Sequence, residues 1–164
     1  YLIFKPSMII TALLLCFYWY KNNVLINHFQ NTDSKKNNFM IFGILSAIFL
    51  VIHSILLGLE TDIKIFKFLR RFVLVSFIIF EIVAQSMLVV NFYKLKNQLK
   101  KFFNPNILKL KILLVSILIL VAVISIPFLI ISGNIHFKHG LEWNYFIGVI
   151  LFYLLTSFFW KKIF

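Results

Sequence analysis

Of the chain's 164 residues, 62% are hydrophobic and 13% charged, where a soluble domain is about half apolar and about a quarter charged. That balance excludes an ordinary water-soluble globule and points to a chain whose solvent is lipid. A net charge of +12 would suggest nucleic acid in a soluble protein, but the lysines stand in connectors beside apolar blocks and form no basic face with interleaved aromatics, so membrane lipids are the expected partner and nucleic acid is not.

Five apolar blocks lie near the ~20 residues that a helix needs to cross ~30 Å of hydrocarbon. They predict an all-α protein, a polytopic transmembrane helical bundle of about five helices forming one integral membrane domain over residues 1–164. The expected spans are 1–20, 39–59, 68–93, 107–132 and 143–160. The chain opens at Tyr1, already apolar and without the basic start of a signal peptide, so the expectation is a truncated N-terminus with a further helix upstream.

In the first block Pro6 sits where a helix start tolerates it, Lys5 can snorkel to the surface, and Trp19 and Tyr20 mark a headgroup level. Asn22 to Asn38 reads as a polar connector, with Asn31 to Ser34 as its turn and cap. The second block places Gly43, Ser46 and Ala47 on one side, a surface that lets a neighbouring helix approach, and Glu60-Thr61-Asp62 ends it. Arg70 and Arg71 open the third block, a basic run from Lys94 to Lys101 closes it, and Asn104-Pro105-Asn106 starts the next helix. Pro127 is expected to kink the fourth block and Gly133-Asn134 to stop it. Tryptophans 143 and 160 bracket the fifth, before Lys161-Lys162. Counting basic residues in alternate connectors, with those from Lys94 to Lys111 on one side, puts the C-terminus in the cytoplasm and Tyr1 outside.

The third block carries the chemistry. Glu81 stands ~16 Å below the arginines by helical rise, near the bilayer centre, and Gln85 shares its face one turn on. A carboxyl in oil costs several kcal/mol unless it is protonated, paired or wet, so it should face other helices, as a proton or cation acceptor or as a fastener of helices. His53 on the second block lies within ~6 Å of the same depth by the same count and is the expected second relay group. His136, His139 and Glu142, spaced three apart in the outer connector, form a weak zinc or copper candidate, because the paired histidines of a metalloprotease helix are missing and Gly140 is expected to interrupt a helix there. Solvated loop residues are the simpler reading. No cofactor is called for, and no GxSxG elbow, phosphate loop or haem-ligating histidine pair is present.

Phe4-Lys5-Pro6, the segment FGILSAIFL from Phe42 to Leu50, and FIGVILF from Phe146 to Phe152 resemble the YhhN-like lysoplasmalogenase family. The resemblance implies a multi-helix membrane hydrolase acting on the vinyl-ether bond of lysoplasmalogens. This chain departs from it at two acidic positions, reading Ser46-Ala47 for Gly-Asp and Leu155-Thr156 for Ser-Asp, so no catalytic residue carries over. The sequence therefore favours a small multi-pass protein of a bacterial inner membrane working through Glu81 in transport, ligand binding or proton-coupled sensing. The alternatives are a lipid-processing hydrolase of the resembled kind and a non-catalytic accessory protein, with other membrane subunits or a second copy as candidate partners.

Overall fold

The structure, a computed structural model, describes residues 3–29, 38–57, 64–131 and 135–160. Among them the fold is all-α. The helices are α1 (Phe4–Phe29), α2 (Phe39–Leu56), α3 (Lys64–Lys94), the single turn α4 (Lys96–Leu99), α5 (Pro105–Ile131) and α6 (Ile135–Ser157). Four stretches are long and apolar enough to cross a membrane: Lys5–Phe29, Phe39–Leu56, Ile65–Lys94 and Pro105–Ile124, while the apolar part of α6, Trp143–Ser157, is shorter. The expected turn at Asn31–Ser34, the Glu60–Asp62 break, the Gly133-Asn134 stop and Lys161-Lys162 lie outside the described residues.

Helices α1 and α6 run furthest past their expected limits. In each, an asparagine bonds back into its own helix. Asn22 Nδ2 donates to the Tyr18 carbonyl at 2.8 Å, and the chain beyond it supplies Ile26, which is fully buried, so α1 continues to Phe29. On α6, Asn144 Nδ2 donates to the Gly140 carbonyl at 2.9 Å. The helix passes through Gly140, correcting the expectation that it breaks there; one exposed glycine costs a helix only about 1 kcal/mol relative to alanine. The α5 entrance is as the sequence predicts. Asn104 Oδ1 accepts the Asn106 N–H at 3.0 Å, and Pro105 takes the first helical position, where a missing N–H has no partner to lose. Farther on, α5 continues through Pro127.

The chain divides into two compact units, Tyr1–Met87 and Leu88–Phe164. In the first, α1 and α2 are antiparallel. Trp19 meets Phe39 near one end, at 6.2 Å between ring centroids, and Ser54 Oγ donates to the Lys5 carbonyl at 3.4 Å near the other. The contact between them is close because Gly43 has no side chain: a Cβ there would lie inside the Trp19 indole. The buried face of α2 is Phe39, Gly43, Ser46, Ala47, Leu50, His53 and Ser54, a stripe of three- and four-residue steps. The expected small-residue surface is thus real, and α1 fills it at Gly43.

In the second unit the start of α5 is tied to the end of α6. The Asn104 N–H donates to the Phe159 carbonyl at 2.9 Å, and Phe103 and Trp160 form an isolated bridge. Phe103 stacks on Phe159 at 5.0 Å, and Phe92 tilts against the same ring at 5.0 Å.

Candidate functional site

Glu81 faces protein, as the cost of a carboxyl in lipid requires. Glu81 and Gln85 are both 0% exposed. Gln85 Nε2 donates to Glu81 Oε1 at 3.1 Å, the one-turn pairing predicted from their spacing. The partner from the neighbouring helix is Ser46 on α2, whose Oγ lies 2.6 Å from Glu81 Oε2. Phe42 and Phe49, one turn to either side of Ser46, stack on Phe80 at 6.1 and 5.4 Å, so aromatic rings wall the polar contact.

Ser46 Oγ also lies 2.8 Å from the carbonyl of Gly43. A hydroxyl has one hydrogen, and a peptide carbonyl and a carboxylate can only accept. If Ser46 donates to Gly43, the 2.6 Å contact needs a proton on Glu81 Oε2 that donates to Ser46 Oγ. If Glu81 is ionised, Ser46 must turn its hydrogen to the carboxylate and leave the Gly43 carbonyl. The two protonation states of Glu81 therefore correspond to two settings of the Ser46 hydroxyl. That hydroxyl sits one turn from the glycine against which Trp19 packs. At the other end of the cluster, Gln85 Oε1 is buried with no hydrogen-bond partner among the described residues. A buried acceptor in that position is unusual enough to need a use.

His53 is buried on the same stripe of α2. Because Ser46 sets the register opposite Glu81, His53 stands seven residues along α2, about 10 Å from that level by helical rise. The backbone at His136, His139 and Glu142 belongs to α6 and not to a connector; their side chains lie outside the described residues. Among the described residues no three His, Cys, Asp or Glu side chains come together as a metal site.

Sequence reasoning missed a second buried ionisable group. Lys111, counted above with the connector lysines, is 1% exposed. Its Nζ donates to Thr156 Oγ1 at 2.6 Å and lies 4.3 and 5.1 Å from the ring centroids of Phe152 and Phe159. Thr156 passes the bond on to the Phe152 carbonyl at 3.1 Å. One signal was available. Lys109 and Lys111 are two residues apart in a helix, so their side chains point about 200° apart and cannot share one solvated face. Among the described residues a threonine and two ring faces hold the amine, and cation–π contacts are strongest when desolvated. Lys111→Met should leave unfolding free energy within about 1.5 kcal/mol of wild type, because a similar volume replaces a costly buried cation. Lys111→Ala should lose about 3 kcal/mol through the cavity. Thermal unfolding of the detergent-purified variants reads both.

Four long apolar helices, with Glu81 and Lys111 buried inside the protein, define the class: an all-α protein of membrane type. Comparison with protein-family models, with curated proteins and with solved structures finds no match.

Proposed function

We propose that this protein is a small multi-pass membrane protein that binds and releases one proton at Glu81, and that this proton drives transport or sensing. The observation that carries the reading is the Ser46 hydroxyl, held within hydrogen-bond distance of both Glu81 Oε2 and the Gly43 carbonyl. A proton arriving at Glu81 frees the Ser46 hydrogen for Gly43. When the proton leaves, that hydrogen turns back to the carboxylate. Each event alters the polar contacts of α2 beside its tightest point against α1, and a packed interface with two settings is what a coupled conformational change requires. Gln85 holds the carboxyl in place, and its open Oε1 is the point where a ligand's donor would join the cluster.

The protein's expected seat is a bacterial inner membrane with the C-terminus in the cytoplasm. Lys94, Lys96, Lys100, Lys101 and Lys109 support that orientation, and Lys111, being buried, does not count towards it. Vesicles reconstituted with the purified protein and loaded with a pH-sensitive dye should acidify after an external acid step faster than protein-free vesicles, and Glu81→Gln should abolish the difference. Equal rates for Glu81→Gln and wild type would overturn the reading. Release of aldehyde from a lysoplasmalogen by the same preparation would replace it with the hydrolase that the sequence resembles.

A further inference from the structure

In the unit Leu88–Phe164 a cavity of about 240 Å³ opens where α3, α4 and α5 meet, and no role assigned above uses it. Lys96, Asn97, Lys100 and Lys109 line its polar side, and Leu108 and Ile112 line the side along α5. Tyr93 forms another part of the wall and carries the Lys96 ammonium over its ring at 4.6 Å. The three lysines are exposed, and the chain has no Asp or Glu between Leu88 and Leu141 to balance them.

Three like charges around one hollow repel, and they stand beside the N-terminal end of α5, the positive end of its dipole. An anion in the hollow would relieve that repulsion. The cavity also stands at the entrance of a membrane-spanning stretch, Pro105–Ile124. Its apolar wall, Leu108 and Ile112, follows that stretch inward, so the hollow is charged where headgroups lie and greasy where acyl chains begin. It is smaller than the sites that enclose drug-sized molecules, which suits one headgroup and not a whole ligand.

We infer that this cavity binds a phosphate-bearing anion, and that its source is the headgroup of an anionic phospholipid whose chain lies along Leu108 and Ile112. The lysines act as point charges on the phosphate oxygens, Asn97 supplies a directed amide donor, and Tyr93 holds Lys96 at the rim. A free phosphate ion would use the lysines and leave the apolar wall idle.

The test is native mass spectrometry of the full chain in detergent, titrated in separate arms with phosphatidylglycerol, phosphatidylcholine and inorganic phosphate. Phosphatidylglycerol should bind with one-to-one stoichiometry and phosphatidylcholine much more weakly. The Lys96→Gln, Lys100→Gln, Lys109→Gln triple variant should bind phosphatidylglycerol about 100-fold more weakly, at the usual contribution of each surface lysine to anionic lipid binding. A control triple variant, Lys21→Gln, Arg70→Gln, Arg71→Gln, removes the same charge elsewhere and should bind as wild type. Equal losses in the two triples, or equal binding of the two lipids, would overturn the site. Inorganic phosphate binding as tightly as phosphatidylglycerol, and displacing it, would overturn the lipid as the source.

Discussion

Glu81→Gln should fold with nearly wild-type stability, and Glu81→Ala should lose about 3 kcal/mol, the sum of a buried cavity and an orphaned amide. The contrast follows from donors and acceptors. With a proton on Oε2, Glu81 donates to Ser46 Oγ and accepts from Gln85 Nε2 through Oε1. A glutamine at 81 can keep both bonds, its Nε2–H replacing the acid O–H and its carbonyl replacing Oε1, with one amide hydrogen more than the acid carries. Alanine repeats neither half: Gln85 Nε2 loses its acceptor in a dry interior, and the space between Ser46 and Gln85 is left unfilled. Thermal unfolding in detergent separates the two variants, and the proton-flux assay supplies the second axis. A folded Glu81→Gln protein with no flux shows that the titrating atom matters and not the shape. If glutamine were as damaging as alanine, the assignment of a proton to the 2.6 Å contact would be wrong, and with it the proposed switch.

Gly43→Leu is the second substitution with a large expected effect, a loss of about 3 kcal/mol or more, since overpacking a close-packed site typically costs about 1–3 kcal/mol for far smaller additions. Here even a methyl would enter the Trp19 ring, which is fully buried and has no room to swing away. Trp19→Ala should cost about 4 kcal/mol alone. The pair should be clearly sub-additive, with a coupling of about 1 kcal/mol or more, because leucine grows into the space the indole leaves. Additive losses would mean that the two residues do not share the contact. Gly148 makes a useful comparison: a Cβ there would meet the end of the flexible Leu118 side chain, so Gly148→Ala should cost much less.

The fold class was legible because it depends on composition and run length. Apolar blocks near the thickness of a bilayer, separated by basic polar connectors, have few ways to satisfy their backbone groups other than as helices. The helix start at Asn104-Pro105-Asn106 was legible because capping is local. Helix ends at Phe29 and Ile135 were not: polar Asn22 read as connector but closes its own bond within the helix, and Gly140 read as a break but is carried through.

The residues themselves also determined that Glu81 and Gln85 share a face and that the carboxyl must point away from lipid, since helical spacing and the cost of a charge in oil need no tertiary information. Which partner would meet that carboxyl was another matter. Gln85 was offered by spacing and is there; Ser46, which stands 2.6 Å from the carboxyl, was not, because the register of α3 against α2 is set by packing between helices. The same holds for Lys111, a connector lysine by position and a buried amine among Thr156, Phe152 and Phe159 by packing. What lies along one helix is a property of the chain; what lies across from it depends on rotation and slide between helices, which no single segment encodes.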